Sequence, residues 1–88
     1  MRHVEFENAA ARVTKRGLAA GESTGHHRHA VDYVIVPLTN GSLSSTRGET
    51  TTRQSIVLGV PYFREAGTEH DIANVGKEPV VFIEIELL

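Results

Sequence analysis

Cysteine is absent from this 88-residue chain. That removes disulfides, thiolate metal ligands and a cysteine nucleophile at one stroke, and leaves the redox compartment undetermined. Nor is there an excess of positive charge: 9 lysines and arginines stand against 11 acidic residues, scattered without any basic stripe. Nucleic acid is therefore not an expected partner. No apolar run approaches membrane-spanning length, and the opening Met1-Arg-His-Val-Glu-Phe-Glu7 lacks the apolar core of a signal peptide. No membrane association is expected, and the cytoplasm is the expected compartment. Helical signal is scarce as well. The one candidate, Asn8 to Arg16 around Ala9-Ala-Ala11, is too short to stand on propensity. No Ser-His-Asp arrangement and no phosphate-cradling glycine loop suggests another chemistry. The length leaves room for one hydrophobic core, so residues 1–88 are read as a single domain.

What the chain does have is strand signal, punctuated by turns. Ala30 to Leu38 is rich in β-branched and aromatic residues and stops at Thr39-Asn40-Gly41, where Asn-Gly predicts a tight hairpin. Ser42 to Arg47 and Thr50 to Leu58 predict a second hairpin across Gly48-Glu49. Pro61 marks a strand start or an edge strand. Val80 to Leu88 alternates cleanly: Val81, Ile83, Ile85 and Leu87 share one face, and Phe82, Glu84 and Glu86 the other. The two glutamates read as the solvated face, although Glu84 has a second possible place beside a metal site. Short strands with glycine-rich turns predict an all-β sandwich or barrel.

Histidine is the chemically informative residue. Gly21-Glu-Ser-Thr-Gly-His26-His27-Arg28-His29 places three imidazoles in four positions, and His70 follows some forty residues later. On an extended strand His27 and His29 point to one face, and His26 to the other. Two imidazoles on one face, joined by a third from a distant strand, would form one side of a transition-metal site. His3 stands alone and reads as a surface residue. Arg28, between the two histidines of the pair, is expected to point outward. Arg64 and Glu65 read as exposed loop charges, with a place on a pocket rim as the sharper option. Asn74 is expected to close a turn with its amide.

The spacing of these residues resembles that of the small single-domain cupins. Gly21, His27, His29 and Gly41 fit the first family motif, and Gly59, Gly67, His70 and Asn74 fit the second. The match covers about residues 17 to 76. More narrowly, the His-Arg-His-x-x-Asp-Tyr-Val pattern and the Glu-Ile-Glu-Leu ending are similar to small cupins named for β-alanine degradation. The resemblance implies a single jelly-roll β-barrel with a divalent transition metal (iron, zinc, nickel or manganese) held by His27, His29 and His70. Two positions depart from the family pattern. Glu65 stands where the second motif has proline, and Tyr33 or Val34 stands where the first has its metal-binding glutamate.

Three readings of that missing carboxylate stay open. The site is a three-histidine one; or Tyr33, which has the correct parity, faces the metal; or Asp32 replaces the glutamate through a bulge, against its parity. The corresponding function is a metal-dependent protein acting on a small organic acid or carbonyl compound. As an enzyme it would be an oxygenase or a Lewis-acid isomerase or decarboxylase, with Tyr33 the first candidate for proton transfer or substrate orientation. The alternatives are a binding or sensing module without turnover, and a vestigial cupin without metal. Open strand edges and a long apolar face predict a twofold homodimer, with the segment before Arg12 covering an edge.

Overall fold

The structure, a computed structural model, describes all residues from Met1 to Leu88 and contains nine strands and no helix. These are β1 (Arg2–Glu7), β2 (Ala11–Leu18), β3 (Ser23–Arg28), β4 (Tyr33–Pro37), β5 (Gly41–Arg47), β6 (Thr50–Ile56), β7 (Tyr62–Arg64), β8 (Glu69–Asn74) and β9 (Val80–Leu87). From β2 onward the antiparallel pairings nest: β2 with β9, β3 with β8, β4 with β7, β5 with β6. That nesting is the signature of a jelly roll, a long hairpin rolled on itself. Two further pairings, β4 with β9 and β5 with β8, complete two sheets in the orders β1-β2-β9-β4-β7 and β3-β8-β5-β6. The sheets face each other as two layers, and no backbone ladder joins their edges into a closed cylinder.

Alternation along the strands sets the core. On the five-stranded sheet Leu18, Val80, Phe82, Tyr33 and Ile35 point inward, and Leu43 and Ile56 meet them from the four-stranded sheet. Asn74 closes this end. It is 1% exposed, donates to the carbonyls of Leu18 and Glu78 at 3.0 and 2.8 Å, and accepts from Gly76 N–H at 2.9 Å. The other end of the interlayer space is open and polar, and holds the candidate site.

Three expectations change, and the helix candidate that propensity could not support is a strand, as the all-β reading requires. The Asn40-Gly41 pair makes no hairpin, because β4 and β5 belong to different sheets and the chain crosses between layers there. Gly41 has no positive φ; a Cβ on it would collide with Cγ1 of the buried Val80, so the glycine serves close approach. Asn40 instead accepts a hydrogen bond from Leu58 N–H at 2.9 Å. The helix candidate is strand β2, preceded by a turn in which Asn8 Oδ1 accepts from the backbone N–H groups of Ala10 and Ala11. On β9 the inward face is Val80, Phe82 and Glu84, and the apolar alternation of Val81, Ile83, Ile85 and Leu87 faces outward. The layered arrangement replaces a continuous hydrogen-bonded barrel. Other expectations hold. The β5–β6 hairpin turns at Gly48-Glu49 with Gly48 at φ +57°, Pro61 precedes edge strand β7, and β1 covers the edge of its own β2.

Candidate metal centre

The site is assembled where β3 runs beside β8. His27 and His70 are register partners across that pair. His29 lies one residue past the end of β3 yet stays on the same side and is buried. His26 points away, exposed, with Nε2 3.2 Å from Glu69 Oε1. The register of β3 slips between Ser23 and His26, and Gly25 sits in that slip at φ +78°. A bulge of this kind re-aims the residues that follow it. Its exposed carbonyl accepts a hydrogen bond from His27 Nδ1 at 2.9 Å, and Thr24 Oγ1 lies 3.2 Å from the same nitrogen. A carbonyl only accepts, so Nδ1 carries the proton and Nε2 keeps its lone pair for the site interior.

The three imidazoles converge through Nε2. His27 and His29 are 3.0 Å apart at these atoms, and His29 and His70 are 3.2 Å apart. All three ligand nitrogens lie within 4.8 Å of one another, and the ring planes cross at 72° to 85°. Nitrogens 3.0 and 3.2 Å apart subtend roughly 90–100° at an ion about 2.1 Å from each, the usual metal–imidazole distance. The set therefore fits a divalent transition ion with further positions left for other ligands. Two of the imidazoles are also held in the protonation state a metal needs. Burial, reinforced by His27, lowers His29 to about 4, and burial with His27 and His29 lowers His70 to about 4. Both are neutral at pH 7, as metal ligation requires.

Of the readings for the missing carboxylate, Asp32 is excluded. It is exposed, and Oδ1 accepts from Ala66 N–H at 2.7 Å, which fastens the loop before β8. The cluster is three histidines without a carboxylate. Tyr33 is fully buried and stacks on His29, ring centroids 3.8 Å apart and planes at 23°. Burial pushes its phenol up to about 12, with Glu84 acting the same way and Arg64 and Thr68 opposing. Its hydroxyl remains protonated at neutral pH and has no well-formed hydrogen bond. Backbone bonds from His29 N–H to the Thr68 carbonyl, 2.8 Å, and from Gly67 N–H to the His29 carbonyl, 2.7 Å, fix the other side of this histidine.

The nitrogens open into a cavity of about 290 Å³ between the sheets. Ile35, Leu43, Ile72 and Phe82 form its apolar surface, and Arg16, Arg64, Gln54, Tyr62 and Glu84 supply polar groups. Arg64 lies 4.5 Å over the Tyr62 ring and donates to Gln54 Oε1 at 3.2 Å and to the Phe63 carbonyl at 2.9 Å. It thus takes a place in the pocket, whereas Glu65 stays on the exposed loop and Arg28 points outward, exposed. Glu84 is 8% exposed; burial raises its carboxyl, Glu86 adds to this, and Arg16 and His27 oppose. Glu84 is thereby moved from the expected solvated face into the cavity. Arg16, Gln54 and Tyr62 were not singled out from sequence. Arg16 lay within the helix candidate, and only the register of β2 against β9 turns it inward beside Phe82.

A jelly roll of two facing sheets with three histidines at its open end defines a small cupin. No protein-family model matches the chain. The sequence is nevertheless 44% identical over 84 residues to the β-alanine degradation protein BauB of Pseudomonas aeruginosa, covering 96% of this chain and 88% of that one. The chain belongs to this family of small cupins. A crystallised cupin domain from Bordetella pertussis is similar at 36% identity with a TM-score of 0.96, covering 100% of this chain and 92% of that one. An RmlC-like cupin with a double-stranded β-helix fold from Methanocaldococcus jannaschii shares the fold at 11% identity, TM-score 0.82, over 99% of this chain and 78% of that one.

Proposed function

We propose that the protein is a metal-dependent cupin that binds a divalent transition ion through His27, His29 and His70 and acts on a small organic acid or carbonyl compound. The observation that carries this reading is the convergence of three Nε2 atoms at the mouth of a cavity. The P. aeruginosa relative's name points to β-alanine degradation, and we carry that over as the metabolic setting. A bound ion would supply Lewis-acid polarisation of a ligand oxygen or, with iron, dioxygen chemistry. The chain's own contribution is positional. Gly25 and Thr24 hold His27, and Tyr33 holds the plane of His29. The Tyr33 hydroxyl, protonated and without a firm partner, is placed to donate a hydrogen bond to a ligand oxygen.

Elemental analysis of protein purified without added metal tests the site. About one transition ion per chain is expected in the parent. His27→Ala with His70→Ala is expected to lose it, and retention of metal by that double variant would sink the ligand assignment. The absence of a carboxylate ligand favours a second reading, binding or sensing without turnover. Oxygen consumption by iron-loaded protein across small acids, diketones and thiols separates the two.

We propose further that the partner of the five-stranded sheet is a second copy of the chain. Its outward face carries one apolar row across all five strands: Phe6, Val13, Ile85, Val34 and Phe63, aligned by register. Around it Ile83, Val36, Val81 and Leu87 are also apolar, and Lys15 is the one charge facing outward on β2, β9 and β4. Five strands about 4.8 Å apart give a footprint of roughly 500 Å² per copy and about 1,000 Å² for a pair, the lower bound of a specific interface. A twofold axis sets the row against itself without needing a complementary surface elsewhere.

A further inference from the structure

The cavity beside the histidines carries a charge pattern opposite to that of the chain. The sequence has a net charge of −2, yet three guanidinium groups, Arg16, Arg47 and Arg64, line this cavity against one carboxylate, Glu84. The guanidiniums are not equivalent. Arg64 is committed to Gln54, the Phe63 carbonyl and the Tyr62 ring. Arg47 sits at the exposed rim. Arg16 is half-buried, forms no ion pair with any carboxylate, and has a buried Nε without a hydrogen-bond acceptor. A buried charged donor without an acceptor is costly, and the edge of a guanidinium matches a carboxylate with two parallel hydrogen bonds. Arg16 lines the same cavity as His29, His70 and Glu84, and its charge acts on both His29 and Glu84.

We infer that Arg16 is the carboxylate anchor of the cavity and that the ligand is a small carboxylic acid. It would lie with its carboxylate on Arg16 and its remaining atoms toward the three histidines. The volume, about that of ten liquid waters, suits an acid of a few carbons. Glu84 shapes the choice as a negative group beside the anchor, so a second anionic group on its side of the ligand is disfavoured. The inference deepens the small-acid reading above and depends on that reading only for the histidine end of the ligand.

The test is calorimetric titration of the protein as purified with propanoate, malonate and the neutral isostere propanamide, with metal content measured on the same samples. Propanoate is expected to bind at least tenfold more tightly than propanamide. Arg16→Gln is expected to weaken propanoate at least tenfold with metal content unchanged, and Arg16→Lys to recover only part of the loss because the two-point fork is gone. Arg64→Gln is expected to have the smaller effect. Equal binding of propanoate and propanamide by the parent overturns the inference even if the Arg16 variants fail to fold. So does failure of the parent to bind either acid, or full binding by a folded Arg16→Gln protein that still carries metal. A parent without metal whose carboxylate binding still depends on Arg16 would overturn the three-histidine reading and leave the anchor standing.

Discussion

At the scale of single residues, protonation separates the site from the rest of the chain. His29 and His70 are about 4 when folded, against an ordinary value of 6.5. Between those values the unfolded chain binds protons that the native imidazoles refuse. Stability contributed by these residues is therefore full above about pH 6.5 and declines as pH falls toward 4. Glu84, raised by burial, acts in the opposite sense, gaining a proton in the folded state first as pH falls. In metal-free protein, urea melts at pH 7 and pH 5 should show a loss of stability at pH 5. That loss should shrink when His29 and His70 are both replaced by glutamine. An unchanged pH dependence in the double variant would refute the assignment. His27 and His29 were legible in sequence through their spacing, and His26 was set aside by parity alone. Glu84 was read first as solvated, with a place beside the site as the alternative, because alternation names two faces without saying which is inside.

At the scale of elements, turns and registers do the positioning. The bulge at Gly25 lets one carbonyl hold His27 while the next residues stay in strand, and the register of β3 against β8 brings His70 across from it. Gly41 is the clearest element-level test, because the chain crosses between layers there against Val80, which is 1% exposed and cannot yield. Gly41→Ala is expected to destabilise by about 1–3 kcal/mol, the usual cost of overpacking. A domain of this size should then melt about 4–8 °C lower for each kcal/mol. A melting temperature within a degree of the parent would show that the crossover has slack. The Asn-Gly pair suggested a hairpin because the same dipeptide suits a tight turn, and local chemistry carries no information about which layer the next strand joins.

At the scale of the whole molecule, the five-stranded sheet is the asymmetric feature. Phe6 and Phe63 are 54% and 51% exposed on the single chain, at opposite ends of one apolar row. Replacing both with serine removes apolar area where the single chain loses little packing. The parent is expected to elute from gel filtration as a dimer and the Phe6→Ser, Phe63→Ser variant as a monomer. A monomeric parent would overturn the pairing. The outward alternation of β9 fits the same picture, since Ile83 and Ile85 lie in the centre of the face.

The sequence by itself determined the strand-rich class and the histidine pair and, through the family resemblance of the two glycine-framed motifs, pointed to His70 as the third histidine and to the jelly roll. The strand-rich class and the histidine pair rest on short-range spacing, two residues per strand repeat and turn residues between β-branched runs. His70 and the jelly roll came only through the family resemblance that the two motifs carry. Only the tertiary structure decided which face of β9 is buried, that β2 turns Arg16 into the cavity, that Tyr33 stacks on His29, and that Asp32 serves a loop. The β9 face, the Arg16 placement and the Asp32 contact depend on pairings between segments more than thirty residues apart, and the local Tyr33–His29 stack on how the chain leaves β3 for the other sheet. Spacing along a strand fixes which side chains share a face. It takes a second sheet to make that face an interior.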